Sequence, residues 1–500
     1  MSKAKIILDK DFTNGKISKG IFGSFIEHMG RVVYSGIYEP GHPDADENGF
    51  RRDVIEKINK MGVALIRYPG GNFVSNYDWR DGVGPKENRP KRREIAWKSI
   101  ETNEFGTDEF MKWVSNTNAE PVFAVNLGTM GIRNALSFLE YMNLPEGTFY
   151  SDMRAKNGHK KPYGIKKWCL GNEMDGNWQV GHKNAYEYGR LAAETAHAMK
   201  MMDDSIELIV CGSSKSSMPT FTEWEKTVLE ETYDYVDYMA LHQYYGNQSY
   251  GSADFLAQSL DMDNYIETVA SIIRTVKARK HSKKDIKISI DEWGVWEIPD
   301  CEVADSVSSR EWQVAPAFSE QIYTMEDALL FASLLMSMVR HADVVKAACQ
   351  SLLTNISACI MTEKGGGSWV QPIYYPFEYM ARYATGEVLN SSVTGDKYES
   401  RFGDALYVDQ VCTYDREKNE IAAFFVNRSS EPAELTIDLR GAKASEILED
   451  VSMYSENIKT TNLTDHNAVH PVNSQDFCID GSSVTGKIKP YSWNMVRISL

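Results

Sequence analysis

The chain has 500 residues, 42% of them hydrophobic, enough for one large domain and a smaller companion with well-buried cores. Its 54 Lys and Arg against 70 Asp and Glu leave a formal net charge of −16. That balance argues against nucleic acid and anionic membrane as partners, because both would repel the surface.

The N-terminal stretch "MSKAKIILDKDFTNG" carries a three-residue apolar run, Ile6–Leu8. A secretory leader needs a longer one. No window of the sequence approaches membrane-spanning length. The seven cysteines (169, 211, 301, 349, 359, 412 and 478) are odd in number, scattered, and without a CxxC pair. Reduced thiols and a cytoplasmic location are therefore expected.

Taken in order, "AKIILDKDF" reads as a strand. From about residue 20 to 355, short apolar runs then alternate with longer helical patterns. The runs are "IFGSFI" (21–26), "VALIRY" (63–68), "PVFAVN" (121–126), "IKKWCLGN" (165–172), "IELIVCG" (206–212), "VDYMALH" (236–242), "IKISID" (286–291) and "VVKAACQSLL" (344–353). Near-continuous apolar runs of this length suit strands buried on both faces. Among the intervening segments, 263–280 places Ile266, Val269, Ile273 and Val276 on one helical stripe. Segment 325–341 is apolar almost all round and is expected to be deeply buried. Eight strand–helix alternations predict a (β/α)8 barrel over 18–384. A doubly wound open sheet is the alternative, but no Gly-rich dinucleotide fingerprint follows the first strand.

The pattern changes after about 385. "ALYVDQVCTYDREKNEIAAFFVN" reads as strand, polar turn near Asp415–Asn419, strand. "ELTIDL" and "MVRISL" alternate, with Val496, Ile498 and Leu500 on one face. A C-terminal antiparallel β-sandwich over 385–500 is predicted, and the N-terminal strand within 1–17 is expected to join it.

In a barrel, catalytic groups sit at the C-terminal ends of the strands. The runs end, in order, at Glu27-His28, at Arg67 and "YPGGNF" with Asn72, at Asn126, at Asn172-Glu173, at Ser213-Ser214, at His242 to Tyr245, at Asp291-Glu292, and near Asn355. Each has an ordinary reading. A lone Glu at a helix start is more often a dipole partner than a catalyst. Asn and Ser after strands are common caps, and Gly70-Gly71 serves equally as a tight turn. His242 alone is more often structural, and Asp291 is expected to point away from Glu292 because neighbours on a strand face opposite ways. Convergence at one mouth favours function. Packing gives no reason to gather Glu27, Glu173 and Glu292, whose mutual repulsion raises at least one pKa. Two carboxylates at close quarters are what glycoside cleavage needs, one protonated to give its proton to the leaving oxygen and one ionised to attack the anomeric carbon. Trp178, Trp293, Trp296, Tyr244 and Tyr245 suit stacking on sugars; their bland role is rim packing.

Seven blocks in this order, "RYPGGNFVSNYDWRDGVGP" (67–85), "ETNEFGTDEF" (101–110), "KWCLGNEMDGNWQVGHK" (167–183), "CGSSKSSMPTF" (211–221), "TYDYVDYMALHQYYGN" (232–247), "DEWGVW" (291–296) and "MTEKGG" (361–366) with "IYYPF" (373–377), resemble the α-L-arabinofuranosidases of glycoside hydrolase family 51. The resemblance runs from the first strand to about 385, and a C-terminal sandwich fits it too. It implies a retaining mechanism with Glu173 as acid/base and Glu292 as nucleophile. It further implies Asn172 on the sugar 2-hydroxyl, Glu27, Asn72, His242 and Tyr244 lining the furanose pocket, and Arg67 beneath the nucleophile. Trp97 and Trp296 match loops that contact the leaving-group sugar.

One block departs. The family usually has "CLAQLVN" at the end of the eighth strand, where this chain has "CQSLLTN" (349–355), so Leu352 stands at the Gln position and Gln350 two residues earlier. The expected function is exo-acting hydrolysis of terminal α-L-arabinofuranosyl residues from arabino- and arabinoxylo-oligosaccharides. The same machinery with β-xylosidase or endo-β-glucanase specificity, and a catalytically silent carbohydrate-binding protein, are the alternatives. No cofactor and no metal are expected, since two carboxylates suffice and no HxxxH or HxH cluster sits at the mouth. The resemblance implies a homo-oligomer, often a hexamer.

Overall fold

A computed structural model describes residues 2–246 and 248–500. Eight parallel strands close into a barrel. In chain order they are Gly23–Phe25, Leu65–Tyr68, Glu120–Val125, Lys167–Leu170, Glu207–Cys211, Tyr238–Tyr245, Lys287–Val295 and Val345–Gln350. All eight arise from the eight apolar runs. The eighth strand pairs with the first through Cys349↔Gly23 and Gln350↔Ser24, which completes the ring.

Alternation along the strands separates two apolar layers. Leu65, Val122, Ala124, Cys169, Ile209, Ala240 and Ala347 point inward and fill the barrel with mostly small side chains. Phe123, Trp168, Leu208, Val210, Met239, Leu241, Ile288 and Ile290 point outward, into the core beneath the helices. The helix Ser259–Arg279 buries Ile266, Val269, Ile273 and Val276, the stripe read from the sequence. The helix Met325–Arg340 is buried on every face from Met325 to Val339. It contacts the barrel on one side and the sandwich strands on the other, which is why it has no polar face.

Two antiparallel-rich sheets follow the barrel in sequence. One contains the strands Val408–Asp415, Glu420–Asn427 and Ser492–Ser499, the first two joined by the turn at 416–419. The other holds Ala433–Asp438 and Ser483–Ile488. The chain start contributes to both. Ser2–Ile7 lies between Ser392–Gly395 and Ala433–Asp438, while Thr13–Lys16 pairs with Glu387–Leu389 in the opposite sheet. Ala4, Ile6 and Leu8 enter the core between the sheets with Val496 and Ile498.

The seventh barrel strand corrects one expectation. Ile290 pairs with Ala348, but Trp293 pairs with Gln350, so three steps on the seventh strand match two on the eighth. The extra residue is a β-bulge, and it breaks the alternation. Asp291 therefore does not point away from Glu292: both side chains reach the barrel lumen, while Trp293 turns outward to pack on Phe331.

Candidate active site

The C-terminal mouth of the barrel is built from the bottom by Arg67, a buried cation in the lumen. Its Nη1 donates to Glu292 Oε1 at 2.8 Å and its Nη2 to Asn172 Oδ1 at 2.6 Å. Its Nε lies 3.5 Å from Asp291 Oδ2. One guanidinium thus ties together the ends of the second, fourth and seventh strands. Asn172 keeps its Nδ2 buried and without a partner, so the amide retains a donor for a bound molecule.

Glu173 follows directly, with φ at +44°, a left-handed backbone uncommon for a residue with a side chain. This turns its carboxylate back over the mouth. Oε1 shares a hydrogen bond with His242 Nδ1 at 3.0 Å, and Oε2 receives one from the Trp178 indole at 2.6 Å. Tyr244, two residues beyond His242, donates to Glu292 Oε2 at 2.8 Å and contacts Ser351 Oγ at 2.6 Å. One oxygen each of Glu173 and Glu292 and one ring nitrogen of His242 lie within 4.8 Å of one another. Such a grouping could bridge a cation, but the Arg67 guanidinium already meets Glu292, which makes it a charge-compensated carboxylate pair.

Glu27 closes the third side. Its Oε1 accepts from the Phe73 amide and the Trp97 indole, both at 2.8 Å. Gly70 and Gly71 are required for this approach: a Cβ on Gly70 (φ +116°) would fall 2.4 Å from Glu27 Cβ, and one on Gly71 would fall 2.9 Å from Glu27 Oε2 and 3.1 Å from Glu292 Oε1. Trp97 is held by its own backbone, since Glu94 accepts from the Ala96 and Trp97 amides at 2.8 and 2.7 Å. The hairpin strands Arg92–Glu94 and Ser99–Glu101 that carry Trp97 are fastened to the long loop after the seventh strand. Lys98 Nζ donates to the Ser308 carbonyl at 2.6 Å and the Ile100 amide to the Gln313 carbonyl at 3.0 Å. Trp296 on that loop meets Tyr244 edge-on at 5.9 Å, and its indole donates to the Ile298 carbonyl.

The electrostatics separate the carboxyl groups. Burial pushes Glu173 above the ordinary carboxylate range and the Glu292 charge adds to it, against the His242 and Trp178 hydrogen bonds. Burial, with Glu292 and Glu94 adding, pushes Glu27 up to about 8. Asp291 goes the other way: burial opposes ionisation, but Arg67 and His242 overcome it and hold the carboxyl low. Burial would lower His242, yet the charges of Glu292, Asp291 and Glu173 raise it well above its usual value.

The structure thus joins Glu27, Arg67, Asn172, Glu173, His242, Tyr244 and Glu292 at one mouth. Trp97 and Trp296 touch this group at Glu27 and Tyr244. Asn72 opens the short 3-10 helix Asn72–Asn76 next to Glu27. Leu352 is buried in the apolar core, and Gln350 turns away from the mouth to donate to the Ser357 carbonyl at 2.7 Å. Three neighbours escaped the sequence reading as members of the cluster: Asp291, hidden by the bulge; Ser351, inside the departing "CQSLLTN" block; and Glu94, on a hairpin with no apolar run. Trp178 reads from the sequence as a sugar-stacking candidate, but its bond to Glu173 is one that no spacing rule reports.

Residues 57–267 match the family description "Alpha-L-arabinofuranosidase 1 domain" and residues 291–492 match "Alpha-L-arabinofuranosidase C-terminal domain". The chain is 50% identical over 501 residues to the "Intracellular exo-alpha-(1->5)-L-arabinofuranosidase" of Acetivibrio thermocellus, covering 100% of both chains. It is also 50% identical to the "Intracellular exo-alpha-(1->5)-L-arabinofuranosidase 1" of Bacillus subtilis, over 100% of this chain and 99% of that one. A solved family 51 α-L-arabinofuranosidase from Bifidobacterium longum superposes with a TM-score of 0.94 at 40% identity, covering 100% of both chains.

Proposed function

The chain belongs to the α-L-arabinofuranosidases of glycoside hydrolase family 51, and from that premise we propose that it is a retaining, exo-acting α-L-arabinofuranosidase working by double displacement. The observation that carries the mechanism is the approach of Glu173 and Glu292, with an oxygen of each within 4.8 Å. Retaining glycosidases hold their carboxyl pair about 5 Å apart, whereas inverting ones leave several ångströms more for a water.

In the first step Glu292 attacks the anomeric carbon while Glu173 gives its proton to the departing oxygen. The C–O bond breaks with its electron pair on that oxygen, and a glycosyl ester forms on Glu292. In the second step Glu173 takes a proton from water, whose oxygen displaces Glu292. Arg67 and Tyr244 hold Glu292 from opposite oxygens and receive it as it departs. The raised Glu173 supports its part as donor, and the free Nδ2 of Asn172 suits a sugar hydroxyl. His242, Glu27 and Asn72 complete the pocket walls, with Trp97 and Trp296 toward the leaving sugar. Each of these roles is part of the proposal.

The clasp between the Trp97 hairpin and the loop after the seventh strand supports release of one terminal unit rather than internal cleavage. The named relatives are intracellular, and among the described residues no helix is long and apolar enough to cross a membrane. A cytoplasmic enzyme trimming imported arabino- and arabinoxylo-oligosaccharides fits both. Assembly as a homo-oligomer belongs to the same proposal and is open to sedimentation velocity. The test of function is a time course on defined linear and branched arabino-oligosaccharides followed by proton NMR. Free arabinose released first as the α-anomer is expected; first release as the β-anomer, or internal fragments without arabinose, would overturn the reading.

A further inference from the structure

The bulge in the seventh strand has placed a second carboxylate, Asp291, below the reacting pair. It is buried, and its partners come from three other strands: Arg67 Nε at 3.5 Å, Cys169 Sγ at 3.5 Å, and His242 Nε2 at 3.2 Å from Oδ1. Oδ1 is buried without a hydrogen-bond partner, and among the described residues His242 Nε2, at ion-pair distance, is the group that faces it. A buried acceptor of this kind costs free energy unless a proton is directed at it. The ring of His242 is the group that can direct one, and its opposite nitrogen, Nδ1, faces Glu173 Oε1 at 3.0 Å.

We propose that Asp291 is a positioning residue of the acid/base machinery, fixing the proton of His242 on Nε2 so that Nδ1 is the nitrogen that exchanges a hydrogen bond with Glu173. Three side chains then form a line, Asp291–His242–Glu173, in which Asp291 stays ionised throughout. One proton is held between His242 Nδ1 and Glu173, and it is the proton that leaves on the departing oxygen. The electrostatic ordering agrees: Asp291 is held low by Arg67 and His242 against burial, while Glu173 is raised. The charged and titratable groups facing this line are Arg67 from the second strand, Cys169, Glu173 and Asp175 from the fourth strand and its end, Cys211 from the fifth, Glu292 from the seventh, and Cys349 from the eighth. Only Asp291 contacts Nε2 as an acceptor among these described groups. The inference rests on Glu173 being the proton donor proposed above.

The test is Asp291→Asn, an isosteric change that removes the charge and keeps an oxygen beside Arg67. Two readouts are compared with wild type: kcat/KM on an arabino-oligosaccharide against an aryl arabinofuranoside with a good leaving group, and the alkaline limb of the pH profile. Losing the nearby negative charge loosens the shared proton. The alkaline limb is expected to move about one pH unit toward acid, and the oligosaccharide is expected to lose about tenfold more than the aryl substrate. A merely structural role through Arg67 would lower both substrates alike and leave the limb in place, and that result would overturn the proposal. Glu173→Ala is run beside it. If that variant shows no leaving-group dependence, the reading of Glu173 has failed rather than that of Asp291. Should Asp291→Asn not fold, wild-type enzyme labelled with 15N-histidine, with His242→Asn to assign the signal, answers the same question. Nε2 is expected to stay protonated across the alkaline limb while Nδ1 titrates; an Nε2 that loses its proton first would overturn the proposal.

Discussion

Replacing Glu27 by Gln should make the protein more stable relative to wild type as pH rises. Glu27 Oε1 accepts from the Phe73 amide and the Trp97 indole, bonds that a Gln oxygen preserves. Burial and the charge of Glu292 raise its carboxyl from 4.5 to about 8. At about 1.4 kcal/mol for each tenfold change in proton affinity, that displacement corresponds to about 5 kcal/mol. The sign follows from proton binding. Below pH 4.5 the carboxyl is protonated in folded and unfolded chains alike. Between 4.5 and about 8 the unfolded chain gives up a proton that the folded chain keeps, so wild-type stability falls through that window, and above about 8 the whole loss is present. The Glu27→Gln variant, with an amide that does not titrate, has no such loss. Denaturant unfolding of both proteins from about pH 5 to about pH 8.5 measures the difference, in which all other titrating groups cancel to first order. The stability of Glu27→Gln minus that of wild type should climb steadily by a few kcal/mol. A flat difference would overturn this prediction, because it would mean that Glu27 is ionised in the folded protein at neutral pH. The consequence for function is direct: a neutral Glu27 presents an O–H that can be donated to a sugar hydroxyl.

Ile6→Ala should cost about 2–4 kcal/mol, because Ile6 is fully buried between the two sheets on the strand that joins Ser392–Gly395 to Ala433–Asp438; denaturant unfolding reads it, and a loss under about 0.5 kcal/mol would show that the strand is not integral. Glu173→Ala should lower kcat/KM by about a hundredfold or more on oligosaccharides and far less on aryl glycosides with good leaving groups, because only the former need a proton; equal losses on both would remove Glu173 from the role of donor.

The barrel was legible because each of its strands is an apolar run with helical spacing beside it, and periodicity reports that kind of burial. Reading what ended each run then located Glu27, Arg67, Asn172, Glu173, His242, Tyr244 and Glu292 at one mouth, and the family resemblance assigned their expected parts. What the sequence hid has physical causes. The rule that neighbours on a strand face opposite ways failed at Asp291 because a bulge adds one residue against the eighth strand, and nothing in "SIDEWGVW" announces a bulge. The second N-terminal strand, Thr13–Lys16, escaped because "TNGK" has neither apolar content nor alternation; its pairing with Glu387–Leu389 is a backbone contact between segments far apart in the chain. The hydrogen bonds of Trp178 to Glu173 and of Glu94 to the turn before Trp97 depend on loop geometry, which side-chain spacing does not encode.

Everything in the proposed mechanism turns on Glu292 becoming covalently attached to the sugar while Glu173 manages the proton. Glu173→Ala offers the cleanest view, since an aryl arabinofuranoside with a good leaving group still reacts in the first step, whereas the second step lacks its base and slows. Rapid quenching, proteolysis and mass spectrometry of the peptide spanning Lys287–Val295 should find one pentosyl unit on Glu292. A protein that turns over the aryl substrate with no such adduct, or that carries the sugar on Glu27 or Asp291, would contradict the mechanism.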